Sequence, residues 1–411
     1  MKTNKTNVFN TGIVTLFAVG SLTAAGADHQ SSLRASTTLA EYPDNPDFYD
    51  ESSETSSRIL WREVFTGSLS SSVRYELNAY HLLTGSSNKV SGLTVLASGT
   101  DEENRNSKLE HHWHDSAALD AYLTIDRINL KGSIGRLQWS IGRMPVNVST
   151  TYVFTPNDLF APFRPHHSYR EYKPGVDSAR LDYALGELGQ ATIVAVAGYE
   201  SSSRIGRVGI QKENEFSAGA SSVIGRVSNT FFGHELALLA GKYGFNDLAG
   251  FSTQGELFGA VGLKTEGHQR KNRVDGFAAS EVAVAFDYRI STPLLLQFEQ
   301  FYHGSGYRNV SQYQTIEDDP HPPLYFLGTN YSALMLQYEA TELTQLRWIG
   351  IGNHTDQSAM LYLAATHSLA DQAEISGSFL LPRGKGPRGD VMQSEYGTYP
   401  VVLTVDLGVY F

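Results

Sequence analysis

The chain ends on LTVDLGVYF, from Leu403 to Phe411, and this stretch decides the fold. Apolar residues occupy every second position up to the last one, with Thr404, Asp406 and Gly408 among the residues between them. Alternation with a period of two is typical of a strand with one apolar face. The last residues of soluble domains usually fray. An alternation that continues to the final residue therefore predicts a C-terminal strand that is ordered to its end.

Composition argues against several classes of protein. The 411 residues are 41% hydrophobic and 18% charged, with a mean hydropathy of -0.26, and beyond the first thirty no apolar run approaches the ~18 residues of a spanning helix. The chain has no Cys, so no disulfide framework and no thiolate metal site are expected. A formal net charge of -11 without an offsetting basic stripe argues against a nucleic-acid partner.

The N-terminal residues read as an export signal followed by a polar segment. Lys2 and Lys5 precede the apolar stretch GIVTLFAVGSL (12–22), and Ala25-Gly26-Ala27 offers a small-residue cleavage site. We therefore predict a signal peptide over 1–27. Residues 28–57 contain few apolar residues in no sustained period, which predicts a flexible leader, and residues 58–411 are assigned to the folded domain.

Beyond the leader, short segments alternate apolar and polar residues, as in SVRYELNAYHL (72–82) and SEVAVAFDYRI (280–290). This pattern is typical of half-buried strands, and ~9–11 residues is the length that crosses a bilayer when tilted. The pattern predicts strands at about 69–83, 119–131, 137–147, 176–185, 190–200, 218–228, 233–245, 250–257, 260–266, 276–288, 294–304, 330–340, 345–352, 358–367, 372–383 and 399–411.

The connections between these strands alternate in length. Every even connection is short, whereas most odd connections are long: 84–118, 148–175, 201–217, 267–275, 305–329 and 384–398. Sorting by parity is typical of a transmembrane barrel, whose short turns and long loops lie at opposite ends. We predict an all-β fold: an antiparallel up-and-down transmembrane β-barrel of about 16 strands. Because 250–266 and 58–66 are ambiguous, 14 or 18 strands stay open.

The C-terminal stretch also carries a family resemblance. VDLGVYF (405–411) resembles the C-terminal assembly signal of Gram-negative outer-membrane barrels, with a terminal Phe, an alternating apolar face and Gly408 near the end. The resemblance implies location in the bacterial outer membrane, contact with its lipid, and recognition of Leu407, Val409 and Phe411 by the barrel-assembly machinery.

A second resemblance covers elements spread over much of the chain. The segments IGRMPV (141–146), FTPNDLFAPF (154–163), REYKPGVDSARLDY (170–183) and SEYGTYP (394–400) resemble those of poorly characterised porin-like barrels near the alginate-export type. This resemblance implies a shared barrel and a shared second outer loop. It assigns no activity to individual residues.

Charged residues on the strands should point into the barrel, because a basic side chain facing lipid costs ~2–4 kcal/mol at the midplane and an acidic one costs less. A barrel of this size leaves an aqueous lumen; a lumen packed by its own loops is the alternative. The predicted lumen-facing set is Arg74, Glu76, Arg180, Asp182, Glu281, Asp287, Glu299, Glu339, Arg347, Glu374 and Asp406.

The long connection 148–175 is the candidate constriction. It carries four Pro residues, which lower the entropy lost on ordering, and aromatic residues that can hold a loop against a wall. Its basic residues would face an acidic wall and select solutes by charge and size. The alternative is a solvated outer loop. The candidate residues are Phe154, Asp158, Phe160, Phe163, Arg164, His166, His167, Arg170 and Lys173.

Three other motifs carry less weight. HHWH (111–114) contains metal-binding residue types, EDDPHPP (317–323) contains three acids, and NHTD (353–356) contains types found in nucleophilic sites. None has a ligand or catalytic spacing, so all three are interpreted as loops or turns. We predict no catalytic, cofactor-binding or metal site and no enzymatic activity.

The sequence therefore predicts a porin-like channel for passive or gated passage of small hydrophilic solutes. The alternatives are an export or scaffold barrel that works with periplasmic partners and a barrel lipase or protease. The identity of the solute and the oligomeric state stay open.

Overall fold

The structure is a computed structural model that describes residues 27–87, 104–116, 118–162, 172–206, 209–316, 318–323 and 325–411. Within these ranges the chain forms antiparallel strands and three short 3-10 helices, at Ser107–Leu109, Val310–Thr315 and Tyr396–Thr398. The strands are β1 (Ala27–Glu41), β2 (Ser53–Ser70), β3 (Val73–Ser86), β4 (Glu110–Asp115), β5 (Leu119–Ile134), β6 (Leu137–Met144), β7 (Val176–Leu185), β8 (Gly189–Gly206), β9 (Gly209–Phe231), β10 (His234–Tyr243), β11 (Asn246–Leu257), β12 (Val261–Asn272), β13 (Ala278–Ser291), β14 (Leu294–His303), β15 (Asn330–Thr341), β16 (Thr344–Asn353), β17 (Ser358–Ala370), β18 (Ala373–Arg383) and β19 (Val401–Tyr410).

Eighteen of these strands form a closed ring. Each pairs with the next along the chain, and β1 pairs with both β2 and β19, with Leu33 opposite Val409 and Leu39 opposite Leu403. Phe411 exchanges two backbone hydrogen bonds with Ser31, of 2.7 and 2.9 Å. The last residue is therefore held in the ladder that closes the barrel, and no strand edge is left unpaired in the ring.

The two faces of the wall differ as the alternation requires. On β19 the outward side chains of Leu403, Val405 and Leu407 are 43%, 49% and 43% exposed, whereas the inward side chain of Val402 is buried. Phe411 is exposed on the outside, at the end of the wall. An apolar outer belt with an aromatic residue at its border is the arrangement that lipid favours. No helix within the described ranges is long and apolar enough to span a membrane.

The two ends of the barrel are unlike. At one end, which we call the short-turn end, strands are joined by tight turns; in one of these Gly135 adopts a φ of 58°, a left-handed conformation that glycine reaches without a steric cost. At the other end, the long-loop end, lie the connections 42–52, 145–175, 304–329 and 384–400. Both ends of the ring's chain, Ala27 and Tyr410, lie at the short-turn end.

The prediction of a flexible leader over 28–57 is wrong. Residues 27–41 form β1, and β2 begins at Ser53. The outward residues of β1 include Ala35 and Thr37, and the inward ones include Ser36 and Thr38. The segment alternates between its two faces with small, weakly contrasting residues, so its period is hard to detect. The predicted signal peptide lies outside the described residues except for its last residue.

These two extra strands account for the strand count. All sixteen segments assigned from the sequence correspond to strands of the ring, and β1 and β2 raise the number to eighteen, one of the alternatives that the sequence left open. The remaining strand, β4, pairs only with β5, at Leu123 and Tyr122, beyond the point where β6 ends. It therefore extends the wall at the long-loop end without joining the ring.

Candidate channel lumen

The structure places the eleven predicted charged residues on the inward strand faces. Most of them have partners there. Glu76 contacts Arg127 and Lys131 at 3.1 and 2.9 Å, and Arg180 contacts Asp182 at 2.7 Å. The inner wall is thus polar but largely neutralised in pairs, which lowers the cost of placing charges inside the barrel.

Other predicted lumen-facing residues pair with residues that were not predicted from the sequence. Arg34 of β1 lies between Glu374 and Asp406 and forms ion pairs with both. Glu281 accepts a hydrogen bond from Ser305 at 3.1 Å, and Asp287 lies 3.5 Å from Lys264. Arg34 was not predicted to face the lumen because it lies in the segment that was assigned to a flexible leader.

The inner wall near the short-turn end keeps an open polar cleft. It is lined by Arg289 and Arg347 together with Glu339, Gln337 and Gln345. Glu339 and Arg74 are exposed to this end of the lumen. Here the charges face open space, so this part of the wall is accessible to small polar molecules inside the barrel.

The described residues of the connection 145–175 fold into the barrel; these residues, 145–162 and 172–175, are called the inner loop. The backbone N–H groups of Tyr152, Val153 and Phe154 donate to the carboxylate of Glu299 on β14, at 3.0, 3.0 and 2.9 Å. Glu299 is only 1% exposed. Glu299, which was predicted to line the lumen, therefore points inward, but the inner loop that it binds covers it.

A second carboxylate, Glu266 on β12, holds the same loop. It accepts hydrogen bonds from Ser149 Oγ at 2.7 Å, from Thr150 N at 2.5 Å and from Asn157 N at 3.2 Å. Glu266 is fully buried. Each of these two buried carboxyl groups accepts at least three hydrogen bonds from the loop, and together they fix the loop against the β12–β14 wall.

Apolar packing reinforces this contact. The ring of Phe154 is fully buried, stacks on Phe301 with centroids 5.1 Å apart, and contacts Phe326 and Tyr331 at 5.3 and 6.1 Å. Phe160 contacts Tyr243 on β10 at 5.6 Å. These inner-loop rings lie in two apolar clusters on the inner wall, so the lumen is partly filled at this level.

The far end of the inner loop contacts the opposite wall. Lys173 forms an ion pair with Asp158 of the same loop, and its backbone oxygen accepts a hydrogen bond from Arg127 at 3.0 Å. The ring of Tyr172 lies 4.3 Å from the guanidinium of Arg62 on β2. The loop therefore contacts the β12–β14 wall at one end and β2 and β5 at the other. Phe163, Arg164, His166, His167 and Arg170 lie outside the described residues.

Arg62 belongs to a buried charged group that the sequence analysis also missed. It donates to Asn78 at 2.8 Å and pairs with Asp126 at 3.1 Å, and Arg105 lies 3.4 Å from Asp126. These residues come from three strands and one loop, so no local spacing marks them. Arg62 lies in 58–66, which the alternation left as an ambiguous strand, and Asn78 and Asp126 lie in predicted strands, but the alternation does not predict which of these residues contact one another.

The motif HHWH lies on a strand, β4, and not in a loop as the sequence predicted. His112 lies on β4, exposed, and bonds to Glu110 and Asp120 at 3.0 and 3.1 Å. Across the described residues, no group of three or more His, Asp or Glu side chains is arranged to hold a metal ion.

The comparisons with known proteins concern the fold. A closed barrel of eighteen antiparallel strands has the size of the porin class of barrels. No protein-family model and no curated protein matches the chain. Solved structures do match it. OccK5 (OpdH) of Pseudomonas aeruginosa superimposes with a TM-score of 0.56 at 8% identity, over 93% of this chain and 98% of that one.

Two further structures match in the same way. OccK2 (OpdF) of Pseudomonas aeruginosa, solved in complex with glucuronate, has a TM-score of 0.55 at 10% identity. A BenF-like porin from Pseudomonas fluorescens Pf-5 has a TM-score of 0.55 at 9% identity. Each match covers 94% of this chain and 98% of the other. The chain thus has a porin fold.

Proposed function

We propose that the protein is a channel of the Gram-negative outer membrane that passes small hydrophilic solutes, with the inner loop at its narrowest level. The observation that carries this proposal is the inner loop itself, which is fixed inside a closed barrel by Glu266 and Glu299 and reaches Arg62 across the lumen. A loop in this position narrows a passage, and the charges around it discriminate among solutes.

Two further observations support the same function. The open cleft around Glu339 and Arg347 offers charged and amide groups to a solute. Solved structures with this fold include a porin and a protein bound to glucuronate, a small hydrophilic carboxylate. The fold of these neighbours favours transport over catalysis. The packed inner loop also opposes an export role, which requires a wide lumen.

The biogenesis that we propose follows from the last strand. Leu407 and Phe411 are exposed on the outer face and Val409 is half-buried beside them. These side chains are accessible to the barrel-assembly machinery before β1 pairs with β19. The short-turn end, which holds both ends of the ring's chain, would then face the periplasm.

Proteoliposome swelling tests the transport function. Vesicles that contain the purified full chain should swell in isotonic solutions of small sugars and of small carboxylates, and the rate should fall steeply as solute size increases. Protein-free vesicles and vesicles with heat-denatured protein are the controls. Swelling equal to that of the protein-free vesicles for every solute would contradict the proposal.

Orientation gives a separate prediction. An epitope tag inserted in 305–329, at the long-loop end, should bind antibody on intact cells, whereas a tag at Ala370, at the short-turn end, should bind only after the outer membrane is permeabilised. The two tagged variants control for each other. Labelling of the Ala370 tag on intact cells, without labelling of the other, would mean that the barrel has the opposite orientation.

A further inference from the structure

The connection 384–400, which we call the cap loop, is tied to its neighbours at the long-loop end. Asn45 donates to the backbone oxygens of Pro387 and Gly389, both at 2.9 Å. Gln314 exchanges two hydrogen bonds with the backbone of Met392, at 2.8 and 3.2 Å. The cap loop thus joins the loops 42–52 and 304–329.

At the centre of the cap loop lies a buried carboxyl group. Glu395 is 1% exposed, and its Oε2 accepts hydrogen bonds from Tyr331 Oη at 2.5 Å and from Asn353 Nδ2 at 2.7 Å. Among the described residues, its Oε1 has no hydrogen-bond partner at ordinary distance and angle. A buried polar atom without a partner is costly, and more so when it carries charge.

A second carboxyl group, from the turn 354–357, adjoins the first. Asp356 Oδ2 accepts hydrogen bonds from Glu395 N at 2.7 Å, from Tyr313 Oη at 3.0 Å and from Asn353 Nδ2 at 3.1 Å. One amide nitrogen of Asn353 therefore bridges both acids. In the described part of the chain, neither carboxyl group forms an ion pair with a Lys, Arg or His side chain.

The surroundings of Glu395 set its protonation. Burial is the main cause that raises its pKa to about 7, and the charge of Asp356 raises it further, whereas the hydrogen bonds from Tyr331, from the backbone of Leu327 and from Asn353 lower it. The other titratable groups that interact with Glu395 are Tyr313, from the loop 304–329, and Tyr396, from the cap loop itself.

We propose that Glu395 and Asp356 form a proton-operated latch, which holds the cap loop closed while Glu395 is protonated and releases it when both carboxyl groups are ionised. The closed state binds more protons than the open state between the ordinary pKa of a Glu and pH 7, so closure is favoured at low pH and is lost as the pH rises through this interval. The effect of the latch on solute passage rests on the proposed channel function, whereas opening of the loop does not.

Hydrogen exchange of the cap loop tests the latch. Exchange rates of residues 384–400 in the wild-type chain, corrected for the pH dependence of chemical exchange, should show an opening constant that rises on the order of 50-fold from pH 5 to pH 8. Glu395→Gln, which resembles the protonated acid, should keep the loop closed and remove the rise. Asp390→Asn, at an exposed acid of the same loop, should behave as wild type. EDTA is present throughout, so that no divalent cation bridges the two acids.

Asp356→Asn is a second variant that keeps the volume of the site. Removal of the neighbouring charge lowers the pKa of Glu395, so the rise in opening should become smaller and end at a lower pH. A wild-type loop whose corrected exchange does not change with pH would overturn the latch, and so would an undiminished rise in Glu395→Gln or Asp356→Asn. If the protein transports no solute at any pH but the hydrogen exchange of the cap loop still depends on pH, only the channel function is contradicted.

Discussion

A chain that lacks residues 28–41 will fail to assemble, and no folded barrel will reach the outer membrane. These residues form nearly all of β1, which pairs with β2 over its whole length and with β19 from Ser32 to Glu41. Each unpaired backbone group in lipid costs several kcal/mol. Since β2 and β19 are both antiparallel to β1, they run parallel to each other and cannot replace the lost pairing with an antiparallel one.

The measurement for this deletion is membrane fractionation combined with gel mobility before and after heating, which reports folded barrel. A variant with both Ser36→Ala and Thr38→Ala is the matched control, because it keeps every backbone pair of β1 and should assemble normally. Heat-modifiable deletion protein at the wild-type level in the outer membrane would show that this segment is dispensable, as the sequence pattern had suggested.

Glu299→Ala should release the inner loop without opening the barrel. The backbone N–H groups of Tyr152, Val153 and Phe154 lose their acceptor, and each buried donor left unsatisfied costs ~1–3 kcal/mol. The ladder of β14 with β13 and β15 is made by backbone groups and stays intact. We therefore expect a wider passage, seen as larger single-channel conductance, and faster hydrogen exchange at residues 148–158.

Two further variants sharpen this experiment. Glu299→Gln keeps one acceptor oxygen but turns an N–H₂ group towards backbone donors, so it should give an intermediate effect. Glu339→Ala removes an acid of the inner wall that is exposed and has no contact with the inner loop, and it should leave exchange at 148–158 unchanged. If conductance and exchange of Glu299→Ala equal those of wild type, the inner loop does not form the constriction.

Much of the fold could be predicted because the lipid face of a barrel strand must be apolar. Apolar and polar residues alternate clearly in strands such as β13 and β19. The difference between tight turns and long loops predicts which strand ends lie at the same end of the barrel. The difference in hydrophobicity between the two faces is weak in β1, where the outward Ala35 and Thr37 are about as small and weakly polar as the inward Ser36 and Thr38. There the strand is defined by its two neighbours rather than by its own pattern.

The candidate site was less predictable because its contacts join distant segments. The prolines and aromatic residues of 148–175 predicted an ordered loop. The side chains that hold it, however, are distant in sequence: Glu266 lies 116 residues after its donor Thr150, and Glu299 lies 147 residues after its donor Tyr152. Glu395 likewise reads as an ordinary loop acid in the sequence. Only the position of Asp356 and Tyr331 around it gives it a role.

The central claim is that a passage for hydrophilic solutes runs through this barrel, and planar-bilayer recording of the purified full-length protein tests it most directly. The account predicts discrete, reproducible conductance steps from heat-modifiable protein, with larger steps from Glu299→Ala. Protein that is folded and inserted by the same criteria, but gives no steps in either the wild type or Glu299→Ala, would contradict it.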